Sequence, residues 1–389
     1  MQSIESSHRD KRGASKVANE VLKKGGEVAS EVSGETRSSD FEGMRFGVKA
    51  WRASASDARE GDSPAVPIVL VHGFAQQAST WDDTAHLLAD AGAECFGFEL
   101  AGHGAGACSA DGDPAERPDF FDLRFQARAL LAFCGAVARD AGVAPVLVGY
   151  SMGGRVALQA ACLAAGDLRD GDQLDRISLR SSAAFAPCDR TRRLDVAGAC
   201  QRDVAANAAR MSAAAPFSAL VLESAGTGPA DDAAREALRE RNLAWAARVR
   251  GDGVSAFMDW WAGLPLFESQ RNLDDDQRER LRAGRLANDA ESLALSFERA
   301  GAHAMPSQGE SIRALCELAA RGIPVSYLAG ELDAKYCKVA STLQAESQGA
   351  VSCRVVPAAG HNIHLEQSEA FNAILGEVVE SCTPEPAAP

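Results

Sequence analysis

The chain has 389 residues, 46% of them apolar, enough to bury a large core in one long domain or two ordinary ones. Its 54 acidic residues against 40 basic ones leave a net charge of -14, which argues against nucleic acid or an anionic membrane as the main partner. Ten cysteines are scattered with no C-x-x-C pair and no Cys/His cluster of metal-ligand spacing, so they read as small apolar residues in a reducing compartment, with no metal site.

Residues 1–40 are polar, with a weak amphipathic stretch around Val17, Val21 and Leu22, and read as a disordered or weakly helical extension. They contain no apolar signal core, and no later segment offers an apolar span long enough for a membrane helix. The expected location is cytoplasmic. Alternation begins at Met44-Arg-Phe-Gly-Val-Lys-Ala-Trp51, a first strand, and a Ser/Asp/Gly/Pro loop follows to Val66. Pro67-Ile-Val-Leu-Val71 then runs directly into His72-Gly73-Phe74.

The most informative stretch comes next. Ala144-Pro-Val-Leu-Val-Gly149 leads into Tyr150-Ser151-Met152-Gly153-Gly154-Arg155, a G-x-S-x-G turn that opens a helical pattern. It reads as a nucleophile elbow, in which a serine sits on a sharp strand-to-helix bend and the helix N-terminus aims N–H groups at the reaction centre. About fifty residues, 166–216, separate that helix from the strand Phe217-Ser-Ala-Leu-Val-Leu222. They are expected to be an insertion, remote from the chemistry because the helix leads away from the serine.

Residues 229–308 are helical in pattern and follow a strand's C-terminal end, so a cap is expected there, with substrate preference written in it. Two strand-like runs remain. Ile323-Pro-Val-Ser-Tyr-Leu328 precedes Gly330-Glu-Leu-Asp333, and Val351-Ser-Cys-Arg-Val-Val356 precedes Gly360-His361-Asn362. The order Ser, Asp, His is that of an α/β-hydrolase, and the loop after Val71 is where such folds place the second oxyanion donor. The expected fold is therefore α/β: a mostly parallel sheet covered by helices on both faces, with a helical cap. The core is expected over 41–228 and 309–382, the cap over 229–308 and a flexible tail over 383–389. Ser151, Asp333 and His361 are the expected triad, with the N–H groups of Phe74 and Met152 as the oxyanion hole. His364 is expected to pack or hydrogen-bond locally.

At this point a resemblance becomes specific. The elbow through Arg155, Asp259-Trp-Trp-Ala-Gly-Leu-Pro-Leu-Phe267, Gly330-Glu-Leu-Asp-Ala-Lys-Tyr336 and Gly360-His-Asn-Ile-His-Leu-Glu366 resemble the 2-succinyl-6-hydroxy-2,4-cyclohexadiene-1-carboxylate synthases of menaquinone biosynthesis, over most of residues 66–380. The resemblance implies an α/β-hydrolase-fold lyase that eliminates pyruvate from an enolpyruvyl-bearing cyclohexene dicarboxylate without a cofactor. It implies that Tyr150, beside the serine, and Trp260, in the cap, contact substrate, that Arg155 and Arg285 meet substrate carboxylates, and that Arg239 or Arg241 is a third cationic contact. Residues 1–40 and 166–216 have no counterpart in that family. Glu223-Ser-Ala-Gly-Thr-Gly-Pro229 differs from its small-residue turn, and Glu99-Leu-Ala-Gly-His-Gly104 replaces its Asp-Leu-Pro-Gly-His-Gly.

The chemistry suits these residues without the family's name. Pyruvate elimination starts with loss of a ring proton, and a serine alkoxide generated by His361 and oriented by Asp333 is a strong base. Arg155, four positions after Ser151 on a helix, faces the same side one turn along. A polyanionic small molecule is the expected partner. The alternatives are a triad hydrolase of an ester or carbon-carbon bond, which would favour an apolar cap, and a non-catalytic interaction protein, which would not need an intact triad.

Overall fold

A computed structural model describes residues 35–52, 65–104, 116–170 and 215–383. These form an eight-stranded sheet in the order β1-β2-β4-β3-β5-β6-β7-β8. The strands are β1 Glu35–Phe41, β2 Met44–Trp51, β3 Ile68–Val71, β4 Cys95–Phe98, β5 Val146–Tyr150, β6 Ala219–Glu223, β7 Val325–Gly330 and β8 Ser352–Val356. The β1/β2 and β2/β4 pairs are antiparallel and the other five are parallel.

Every residue of β3, β5, β6 and β7 is buried, so these strands read as apolar runs. The two-residue period of a strand divides them between two cores. Val69, Val71, Leu147, Leu220, Leu222 and Tyr327 face one side, under α2 (Leu123–Ala141), α3 (Met152–Asp170) and α7 (Gln308–Ala320). Ile68, Leu70, Val146, Val148, Val221 and Leu328 face the other, under α1 (Asp82–Asp90) and α10 (Ser368–Ser381).

The first strand corrects the expected start of the fold. β1 begins at Glu35, inside the stretch assigned to the N-terminal extension, of which residues 1–34 lie outside the described residues. Its sequence, ETRSSDF, has no alternation because it is an edge strand held by main-chain bonds to β2. A two-residue turn with positive φ at Glu42 (48°) and Gly43 (85°) closes the hairpin, the twist that such hairpins favour. Phe41 packs against a core, its ring 5.5 Å from that of Phe125.

A second boundary shifts as well. Helix α3 continues to Asp170, past 166 where the insertion was expected to begin, and residues 171–214 lie outside the described residues. At about 1.5 Å per residue this helix carries the chain about 28 Å from Ser151.

Between β6 and α7 the chain is helical: α4 (Asp232–Ala262), α5 (Asp275–Leu286) and α6 (Ala290–Ala300), with 3-10 segments over Pro265–Asn272 between the first two and over Ala302–Ala304 after the third. Their apolar faces form a third core, Val249, Phe257, Met258, Trp261, Leu293 and Phe297, which also takes in Ala75 from the loop after β3. These helices therefore rest on the rim where the parallel strands end. The remaining helices are α8 (Ala334–Glu346) and the single turn α9 (Ile363–Glu366). No helix among the described residues is long and apolar enough to cross a membrane.

Candidate active site

Ser151 stands between β5 and α3 with φ of 49°, in the left-handed region that a non-glycine residue enters only when its surroundings hold it there. The bend is held at both ends. Ser151 N–H donates to Glu223 O at 2.9 Å, and Arg155 N–H donates to Ser151 O at 3.1 Å. A side chain at Gly153 would put its Cβ 2.4 Å from Val71 O, so the helix can approach β3 this closely only with glycine there.

The two partners come from the ends of neighbouring strands. Asp333 follows β7 and caps α8, its Oδ1 accepting Tyr336 N–H at 3.2 Å. His361 follows β8. The two loops touch: Leu332 N–H donates to Ala359 O at 2.8 Å, and a Cβ at Gly330 would lie 2.0 Å from Gly360 O. His361 Nδ1–H donates to Asp333 Oδ2 at 2.8 Å, which leaves Nε2 to accept from Ser151 Oγ at 3.0 Å. Asp333 and His361 are both buried, at 5% and 2% exposure, so the carboxylate is poorly screened from the imidazole it orients. Glu366 clamps the histidine loop locally, accepting Gly360 N–H at 2.7 Å and Asn362 N–H at 3.1 Å. The geometry is that of a serine activated by a base with an oriented tautomer.

Met152 is the first residue of α3, so its N–H has no partner within the helix. Phe74 lies on the loop after β3, where Gly73 N–H donates to Gln76 Oε1 at 3.2 Å and Ala75 has φ of 55°. Both candidate donors thus sit on backbone fixed by its own turns. Phe74 is held further by the cap, its ring 5.0 Å from Trp261 and 4.2 Å from Phe297.

Ser151, Tyr150 and His361 open into a cavity of about 710 Å³, counting its mouth. Arg155, Arg241 and Arg285 line it together with Lys335. Burial pushes the Arg155 guanidinium down to about 10, with the Arg241 charge adding and Tyr336 opposing. Burial also lowers Arg285 and Arg241, yet all three stay cationic near neutral pH. Arg285 donates to Gln270 Oε1 at 3.0 Å and lies over the Phe267 ring, and Arg241 lies over Trp245 at 4.5 Å. The Nε atoms of Arg155 and Arg285 are enclosed without a hydrogen-bond partner. Among the described residues no carboxylate pairs with any of the three. Elsewhere in the cap the arginines are taken: Arg250 binds Glu291 and Glu298, and Arg282 binds Asp259. The cavity therefore offers unspent positive charge to an anion.

Two expected contacts fall elsewhere. Arg239 points to solvent, 48% exposed, its Nε and Nη2 bound to Glu236 at 2.8 and 2.6 Å. It precedes Arg241 by two positions, about 200° around a helix, so only one of them can face the cavity, and that one is Arg241. Trp260 is half-buried beneath Arg248, 4.1 Å from its ring, and Trp261 takes the cavity wall instead. Helix α4 breaks at Gly253, φ 75°, which resets the helical phase before the tryptophan pair.

Asn242, Trp245, Phe297, Lys335, Tyr336 and Gln76 also line the cavity and were not singled out from sequence. Trp245 had a signal, since it lies four residues after Arg241. Lys335 and Tyr336 had another, on the first turn after Asp333. His364 is fully buried, with Nδ1 2.7 Å from Glu223 Oε2, in line with the local packing expected of it.

The sheet order, the elbow and the Ser-His-Asp contact define a class of protein. A model of the alpha/beta hydrolase family matches residues 68–374, and the chain belongs to that family. Within it, the chain is similar to the 2-succinyl-6-hydroxy-2,4-cyclohexadiene-1-carboxylate synthase of Escherichia coli O17:K52:H18 (strain UMN026 / ExPEC), 28% identical over 83% of this chain and 98% of that protein. Similarity to the synthase of the same name from Shigella dysenteriae serotype 1 (strain Sd197) is 28% over 81% of this chain and 95% of that protein. A Bacillus subtilis (strain 168) relative is 34% identical over 166 residues, and that match spans 42% of this chain and 57% of the relative's length. Among solved structures, MenH from S. aureus has a TM-score of 0.61 at 24% identity, covering 86% of this chain and 98% of that one. A thermophilic esterase from Thermogutta terrifontis has 0.54 at 18% identity, covering 90% and 100%. Both likenesses are of fold.

Proposed function

We propose that the chain is a lyase that eliminates pyruvate from 2-succinyl-5-enolpyruvyl-6-hydroxy-3-cyclohexene-1-carboxylate, giving 2-succinyl-6-hydroxy-2,4-cyclohexadiene-1-carboxylate on the route to menaquinone. The observation that carries this reading is the convergence of Arg155, Arg241 and Arg285 on the cavity of Ser151 and His361, in a protein of net charge -14. A substrate with several carboxylates needs such a local reversal of charge, and an acyl ester does not. The names of the E. coli and Shigella relatives support the same reaction. Arg241 and Arg285 both lie in 229–308, the expected cap, so the division into core and cap goes with the assignment. The expected cytoplasmic site of action goes with it too.

His361 Nε2 takes the Ser151 proton while Asp333 holds the imidazolium that results. Ser151 Oγ then removes the proton from the ring carbon that bears the succinyl group, which the adjoining ketone makes acidic. Charge moves onto the ketone oxygen, where the N–H groups of Phe74 and Met152 hold it, at about 3 to 4 kcal/mol per well-placed donor. The electron pair returns through the ring double bond to give the diene, and the bond from the ring to the enolpyruvyl oxygen breaks. Pyruvate departs as its enolate and recovers the proton first removed. Ser151 acts as base throughout and forms no acyl-enzyme. Arg155, Arg241 and Arg285 grip the carboxylates, and Tyr150 forms the wall beside the serine.

The test is to supply the enolpyruvyl substrate and follow pyruvate release. Turnover that disappears in Ser151→Ala while the circular dichroism spectrum stays the same is the expected result. Hydrolysis of nitrophenyl esters with no pyruvate from the enolpyruvyl substrate would overturn the reading in favour of a hydrolase.

A further inference from the structure

Beneath the elbow lies a fully buried carboxylate–imidazole pair that the elimination does not use. Glu223 ends β6, and His364 follows His361 by three residues; neither side chain is accessible to solvent. Glu223 Oε1 accepts the His364 main-chain N–H at 3.1 Å, and Oε2 accepts Nδ1–H at 2.7 Å. The main-chain carbonyl of Glu223 also accepts the N–H of Ser151 at 2.9 Å. One residue thus holds the serine by its backbone and the histidine loop by its carboxylate.

The sheet order explains why this position is suited to the task. Ser151 follows β5 and His361 follows β8, with β6 and β7 lying between them. Asp333, at the end of β7, fixes the His361 ring, and the end of β6 reaches both loops. The His364 ring is itself immobilised: Trp81 stacks on it at 3.8 Å, the Tyr150 ring meets it edge-on at 5.0 Å and Phe371 lies at 5.8 Å. Tyr150 is in turn 5.4 Å from the His361 ring, so the same aromatic spacer touches both histidines. Fold stability is a weak reason for such a pair, because apolar residues of similar size often serve a buried position as well or better.

We propose that Glu223 and His364 are positioning residues that set the alignment of His361 Nε2 on Ser151 Oγ, by tying the elbow and the histidine loop to one point at the end of β6. A misplacement of about 1 Å at such a contact costs about 100-fold in rate. The alignment itself stands on the Ser–His contact, and only its turnover measurement rests on the lyase reading.

The experiment uses the full chain with Glu223→Gln, His364→Gln and the double variant, each checked for folding by its thermal transition. Two rates are measured: labelling of Ser151 by a fluorophosphonate, which needs the aligned Ser–His pair and no natural substrate, and pyruvate release. Each single variant is expected to lower the labelling rate and kcat together by about 10- to 100-fold, with KM within about twofold. The double variant is expected to lose no more than the worse single one, because the pair acts as a unit. Parental labelling rates in both folded single variants would overturn the proposal. So would losses that multiply in the double variant, or a raised KM at constant kcat. Slow labelling in the variants, with no pyruvate released even by the parent, would sink the lyase reading and leave the positioning pair standing.

Discussion

Arg241 and Arg239 show how much a two-residue difference matters. Both were visible in sequence as cations of the cap, but the choice between them depends on the phase of α4 against the core, which no local pattern contains. On the proposed function Arg241→Ala removes a guanidinium from the cavity that would hold the substrate, so kcat/KM should fall by about 10- to 150-fold, the equivalent of one charge-assisted hydrogen bond. Arg239→Ala removes a solvated partner of Glu236 and should leave kcat/KM within about twofold. Steady-state kinetics on the two variants checks both, and the reverse ranking would reassign the cavity. Arg155 carries a pH signature. Its guanidinium is held down to about 10 by burial, so it is charged below that pH and loses its charge as pH rises through it. kcat/KM should therefore decline on the alkaline side through about 10, and Arg155→Gln should start lower and show a smaller decline. Tyr150 supplies no competing limb there, because burial and the Glu223 charge keep its hydroxyl protonated well above the usual phenol range. The members of the Ser–His–Asp contact were legible residue by residue because each follows an apolar run and a glycine. Trp260 came from the resemblance alone; the choice between it and Trp261 depends on the helical phase after the break at Gly253, and Trp261 is the one that lines the cavity.

Strands read well where burial on both faces made them apolar runs, as in β3, β5, β6 and β7. The reading failed at β1, whose residues pair through the backbone and whose sequence, ETRSSDF, holds one apolar residue, so no hydrophobic period could announce it. The elbow lies between these cases, since its glycines are fixed by contacts across elements. Gly153→Ala would press a methyl group against Val71 O at 2.4 Å, main chain that cannot step aside. It should destabilise the protein by about 1 to 3 kcal/mol through overpacking. It should also slow Ser151 labelling, because relief requires α3 to withdraw from β3 and carry Met152 with it. A denaturant midpoint equal to the parent's would show that α3 can take a methyl group at this approach without strain.

At the scale of the molecule, cap and core share a wall of rings. Phe74 from the core rim is packed between Trp261 and Phe297, and Ala75 joins the cap's own apolar cluster. The two parts should therefore unfold in one transition. Tryptophan positions make this measurable: Trp245, Trp260 and Trp261 belong to the cap, while Trp51 and Trp81 are buried in the sheet layers. Fluorescence and far-ultraviolet circular dichroism should give coincident midpoints, and an early fluorescence step would mean that the cap melts alone. Composition indicated an acidic protein, correctly, and said nothing of the cationic cavity inside it. Net charge is a sum over the whole chain, whereas recognition depends on the few charges that lack partners.

The polar hairpin at the sheet's margin has a consequence for how the molecule keeps company. A flat, apolar outermost strand is a template on which a neighbour's backbone can continue the ladder. β2, with Met44, Phe46, Val48 and Trp51, would be such a template if it were last in line. Glu35–Phe41 pairs along that edge instead, so the last strand on that side is one whose sequence, ETRSSDF, holds a single apolar residue. The sequence with the least hydrophobic period thus makes the outermost strand, and a chain cut back to β2 should associate edge to edge more readily under crowding.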